Sequence, residues 1–273
     1  MSHVRREIVK VLLQKRTYFG WAGLFVLPFI VSVAVHFSAE RRGPVDTQNG
    51  ADFYFGIITA NGLYVAIASL FALSAFLLPL LAAMSGSQTL AGEAERGTLR
   101  TVLMQPVRRG GLLAAKWLVA NLYIAVGLLL LLAGSLIAGG AFFGFRSMLL
   151  LTVQPVSVGH GLGLIVLAYL FVWFAMAAAV SLALVFSTLT DSGLTAVAGA
   201  MVLIIVMLVL GTLSALDFLK PYLFTSQFSA WINFFRDPID WGPIRDALIN
   251  FAAWIAGTTL IAWIIFRRKD IHS

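Results

Sequence analysis

The sequence predicts an all-α integral membrane protein of about six transmembrane helices, with an interfacial amphipathic helix before the first and both termini cytoplasmic. Three observations carry this. Of the 273 residues, 60% are hydrophobic and 11% charged, against roughly 25% charged in soluble domains, so the chain cannot cover a water-facing surface. The charges are separated by long runs that are apolar all round, unlike the short alternating segments of a strand barrel. Lysine and arginine also divide unequally between the two sides those runs define: 13 of the 19 fall on the side holding both termini, the side the positive-inside rule assigns to the cytoplasm. The whole chain, 1–273, reads as one transmembrane domain.

Runs free of Asp, Glu, Lys and Arg place spans near 18–37, 58–83, 113–142, 162–187, 194–216 and 247–266, because a charge at mid-membrane costs about 2.5–3.5 kcal/mol even on the lenient insertion scale. Residues 1–16 put Val4, Ile8, Val11 and Leu12 on one helical face and Arg6, Lys10 and Gln14 on another, the pattern of an interfacial elbow helix; an extended, charged start to the first span is the plainer reading. The first apolar run is too long for a signal-peptide core and reads as a retained span. On the far side lie a polar loop at 38–57 with Gly43-Pro44 and Asn49-Gly50 turn signals, a shorter loop at 143–161, and an aromatic segment at 217–246. That last segment suits short helices dipping into the outer leaflet, or an ordinary loop carrying aromatic-belt residues.

Several chemistries are missing their residues. Cysteine is absent and the dipeptide Gly-Lys does not occur, so there is no thiolate site and no P-loop. None of His3, His36, His160 and His272 has a ligand partner at helical spacing, and His36 and His160 read as polar residues near outer span ends. Asp191 could belong to a proton relay, but Thr190-Asp191-Ser192-Gly193 reads better as a tight turn with Asp191 or Ser192 capping the fifth span. The net charge of +7 sits beside apolar runs, which points to topology and lipid headgroups and not to nucleic acid. Recurrent Gly127, Gly134, Gly139, Gly140, Gly144, Gly159 and Gly163 permit close helix packing, within one subunit or at a dimer seam.

The inner loop, 84–112, is the most informative segment. It carries Glu93 and Glu95, then Gly97, Thr98 and Leu99, then Val102, Leu103 and Pro106, with Arg109 before the next span. Gly97 opens a short helix, Thr98 caps it and Pro106 ends it. Leu99, Val102 and Leu103 make one apolar face, which rests on the membrane or on inner helix ends, or inserts into a groove of a soluble partner.

In this order and spacing, with Lys116 opening the next span, Glu7 in a basic amphipathic start, and Phe266-Arg267-Arg268-Lys269-Asp270-Ile271 at the end, the sequence resembles permease subunits of ABC-2-type transporters. The resemblance implies that two permease subunits, identical or homologous, form a pathway through the inner (plasma) membrane. It implies that separate ATPase subunits, which carry ATP and Mg, dock beneath, so that no cofactor belongs to this chain. It makes residues 93–109 the coupling segment. Arg100 departs from the family, where many members carry an acidic residue. The expected function is the permease of an ATP-driven exporter. The alternatives are a secondary carrier or channel, and an immunity or assembly component that works on lipid or a partner protein. The scattered Asn61, Tyr64, Ser69, Ser74, Asn121, Tyr123, Tyr169 and Ser181 suit an amphipathic cargo or plain packing equally well.

Overall fold

The computed structural model describes residues 3–41, 59–97, 109–152 and 154–268. Nine α-helices follow in order among them: α1 His3–Leu12, α2 Lys15–Arg41, α3 Leu63–Ser74, α4 Leu77–Ser87, α5 Ala91–Glu95, α6 Arg109–Phe142, α7 Val158–Leu189, α8 Gly193–Thr212 and α9 Trp241–Arg268. Five stretches, in α2, α6, α7, α8 and α9, are long and apolar enough to cross a membrane. α3 and α4 reach that length and apolarity only as a pair, bent by 58° where they meet.

That bend is not in the sequence expectation of one straight span at 58–83. Pro79 explains it. It has no N–H to give the Ala75 carbonyl one turn earlier, and its ring crowds that carbonyl. The chain relieves this at Phe76 (φ −138°, ψ −53°), and the ladder resumes with Leu80 donating to the Phe76 carbonyl at 2.9 Å.

α7 is the central helix, with 67% of its most apolar window buried against 17% for α9. Its small residues Ala175, Ala178, Ala179 and Ala183 are fully covered, so neighbouring backbones can approach closely. Gly139 of α6 makes the tightest such approach, since a Cβ there would be driven into the Gly62 carbonyl.

Most polar side chains in the spans serve local packing. Ser74 donates to the Phe71 carbonyl, Tyr169 to that of Ala66 and Ser181 to that of Ala177. Trp117 donates to Ser181 and Trp173 to the Asn121 carbonyl. Asn61 donates to the carbonyls of Arg146 and Ser147, and Tyr64 to that of Leu149, pinning the 143–157 loop onto the start of α3. Within that loop β1, Met148–Leu149, pairs antiparallel with β2, Pro155–Val156, a short hairpin the all-α expectation does not contain.

The 217–246 segment folds as 3-10 helices at Ser214–Leu219, Phe224–Gln227 and Ala230–Phe235, and α9 starts within it at Trp241. Phe224, Phe228, Trp231, Phe234 and Phe235 are buried in the main core. Phe171 of α7 meets Phe234 edge-on, with ring centroids 6.1 Å apart, and Phe224 meets Trp254 of α9 at 5.2 Å. These aromatics are core residues, while Phe218, Tyr222 and Trp241 stay exposed.

Candidate functional site

Two consecutive helix ends and a turn converge where α1, the α4–α5 junction and the start of α6 meet. α4 ends at Ser87, and after three intervening residues α5 begins at Ala91, where Ser187 of α7 caps it. The Ser187 hydroxyl accepts from the N–H groups of Leu90 (3.1 Å) and Ala91 (2.9 Å), and donates to the Ser87 carbonyl at 2.7 Å. Buried orphan donors at a helix start need such an acceptor. α5 thereby lies against the bundle, with Ala91, Gly92 and Glu93 buried.

Glu93 is then held in a four-membered ionic cluster. Its Oε1 accepts from Lys116 at 2.8 Å and from Lys10 at 2.9 Å. Lys10 also reaches Glu7 at 2.9 Å and Lys116 reaches Glu7 at 3.3 Å. The third donor of the Lys116 ammonium goes to the Thr89 carbonyl at 2.8 Å. Only 1% of the Lys116 side chain and 9% of that of Glu93 are exposed. Two cations and two carboxylates cancel, and with all three Lys116 donors used, the desolvation of the pair is offset.

Burial favours the neutral form of Glu93. The Lys116 charge and hydrogen bond, joined by those of Lys10, outweigh it and hold the carboxyl below its usual 4.5. Burial likewise disfavours the charged form of Lys10, yet its bonds to Glu7 and Glu93 keep its ammonium above the usual 10.5.

Two more contacts fasten the ends of the inner loop. A Glu95 carboxylate oxygen accepts the Gly193 N–H at 2.9 Å, which places a negative charge on the N-terminus of α8. Ser192 is the N-cap there, accepting from Thr195. At the other end of the loop, Arg109 donates to the carbonyls of Phe266 (3.3 Å) and Arg267 (2.8 Å), satisfying acceptors in the last turn of α9.

Glu93, Glu95 and Arg109 thus take part in tertiary contacts. Gly97 has φ +68°, a left-handed conformation that suits glycine, and its N–H returns to the Ala94 carbonyl at 2.9 Å. Gly97 therefore closes α5, and the short helix that the sequence reading has it open lies outside the described residues. Thr98, Leu99, Val102, Leu103 and Pro106 lie outside the described residues. Sequence reasoning quoted Glu7 and Lys116 as family marks but did not place them beside Glu93. It missed Lys10, Thr89 and Ser187 as members of this site, and an isolated serine at the end of an apolar run gives no signal of its role.

None of the curated proteins matches the chain. The family model described as ABC-2 family transporter protein matches residues 16–271. With that match covering nearly the whole chain, and with five helices long and apolar enough to cross a membrane besides the bent pair, the chain belongs to the ABC-2 transporter family and is a multi-pass membrane component of it.

Proposed function

We propose that this chain is the permease subunit of an ATP-driven exporter in the inner (plasma) membrane, and that residues 93–109 couple it to a separate ATPase subunit. The observation that carries this reading is the fastening of both ends of the inner loop. Glu93 is tied to α1 and α6, Glu95 to the start of α8, and Arg109 to the end of α9. Those anchoring residues bond directly to four helices, so a push delivered at either end of the loop is passed to the bundle.

The apolar face of Leu99, Val102 and Leu103 is the part that would enter the ATPase. ATP and Mg would sit on that partner, and a second permease, identical or homologous, would complete the pathway. The basic end of the bundle, where 13 of the 19 Lys and Arg residues collect, would be cytoplasmic, with α1 lying in the interface. A mechanical role on a lipid or partner protein drew its support from the aromatic outer segment, and five of those aromatics are used in the core.

Leu99→Asp places a carboxylate in the proposed contact, at a cost of several kcal/mol if it must be desolvated. The expected result is a permease that inserts normally and no longer co-purifies with an ATPase. Full retention of the ATPase together with normal transport would overturn the coupling assignment.

A further inference from the structure

A cavity of about 790 Å³ opens beside the ionic cluster, between α1, the start of α2, α4, α5 and α6. We propose that it binds a membrane amphiphile with an anionic, phosphate-type headgroup, which reaches it sideways from the lipid. The structural observations behind this are independent of whether the chain couples to an ATPase.

The size falls within the range of about 300–1,000 Å³ usual for small-molecule sites. Among the described residues the walls are divided by chemistry. One part is apolar, with Leu81, Met84, Val119 and Phe19, and the other holds the charged groups. The charges are Lys10, Arg96 and Lys116 against Glu7 and Glu93, a balance of +1 on the lining. The Lys116 ammonium already spends its three donors inside the cluster. Lys10 is half-exposed and Arg96 exposed, and Arg96 is anchored by its Nε on the Gly92 carbonyl at the edge of the cavity. A guanidinium fork and an ammonium on the lining of one cavity suit a phosphate.

The direction of access follows from the rim. Leu13 and Phe19 both line the cavity and are each 78% exposed. In a chain that crosses the membrane, large apolar side chains this exposed at the mouth suit contact with hydrocarbon better than with water. A ligand arriving through that mouth therefore brings an apolar tail to Leu81, Met84 and Val119 and leaves its headgroup at Arg96 and Lys10. The elbow helix α1 forms one wall, so occupancy would also bear on the ionic cluster.

The test uses the full-length chain in two settings, with tail-brominated phosphatidylglycerol in nanodiscs as the bilayer source and dodecyl phosphate added in maltoside detergent as the free amphiphile. Quenching of Trp21 is read as the difference from Trp21→Phe, since Trp21 stacks on Tyr123 in the cavity wall. Saturable quenching by phosphatidylglycerol, at least tenfold stronger than by brominated phosphatidylcholine and at least tenfold weaker in Arg96→Gln, is expected. Met84→Trp, which fills the apolar part, should abolish it. With brominated phosphatidylglycerol also supplied in the detergent, relief of its quenching by dodecyl phosphate would show that the headgroup and one chain suffice, while quenching that dodecyl phosphate leaves intact would assign the site to a two-chain bilayer lipid. If Met84→Trp does not fold, the exposed Arg96 variant still decides. Equal quenching by the two lipids, or no change in Arg96→Gln, would overturn the proposal.

Discussion

The ammonium of Lys116 lies 2.8 Å from a carboxylate oxygen of Glu93, although the two residues belong to different helices, α6 and α5. With 1% of the Lys116 side chain exposed, this contact is an interior ion pair and closes the loop at its base. Four consequences of this arrangement and of the helix packing are open to measurement.

Removing one partner of a buried pair leaves the other uncompensated, which typically costs about 3–5 kcal/mol. Lys116→Met should therefore lower the thermal stability of the detergent-solubilised protein severely. Adding Glu93→Gln should recover part of the loss, giving a coupling energy of about 1 kcal/mol or more in a double-mutant cycle. Strictly additive losses would mean that the two groups do not support one another.

The ionic cluster also sets a pH window. The Glu93 carboxyl is depressed below 4.5, so its stabilisation is complete above 4.5 and is lost as pH falls through the lower folded value. Lys10 is raised above 10.5, so its contribution is complete below 10.5 and is lost as pH rises through the higher folded value. The stability difference between wild type and Glu93→Gln should be level between those limits and shrink on acidification. A difference that grows as pH drops below 4.5 would contradict the assigned direction.

Glu95 contributes to stability through the N-terminus of α8. Replacing it with alanine removes the acceptor of the Gly193 N–H, a loss of about 0.5–1 kcal/mol by analogy with helix caps and dipole partners. Hydrogen exchange at Gly193 should quicken in Glu95→Ala, while Glu95→Gln, which keeps an acceptor, should restore most of the protection. Unchanged exchange in the alanine variant would remove this link between loop and helix.

The glycines of the long helices separate into two kinds. Gly139→Ala meets the Gly62 carbonyl, a backbone atom that cannot step aside, so a loss of about 1–3 kcal/mol is expected. Gly163 has open space around its missing Cβ, and Gly163→Ala should be neutral or raise stability by up to about 1 kcal/mol. Comparable losses at both positions in the isolated subunit would contradict this separation.

Much of the architecture was legible because its cause is local and additive. A run such as Trp117–Phe145 is apolar enough to be recognised by composition, and the Lys and Arg asymmetry needs only counting. Ser192 capping α8 was within reach for the same reason, since a cap satisfies donors two or three residues away. Pro79 is equally local, yet a proline inside an apolar run signals a break only when its lost hydrogen bond is weighed against the length of the span. The aromatics from Phe224 to Phe235 were ambiguous because the same side chains serve a lipid boundary and a protein core.

By itself the sequence determined that the chain spans a membrane, where its crossings lie and which end is basic, because hydrocarbon excludes charge residue by residue. Only the tertiary structure decided that Glu7, Lys10, Glu93 and Lys116 form one neutral cluster, that Arg109 closes the end of α9, and that the outer aromatics fill the core. Those outcomes depend on pairing between residues as much as 158 positions apart, and a buried ion is stable only where the whole fold delivers its counterion.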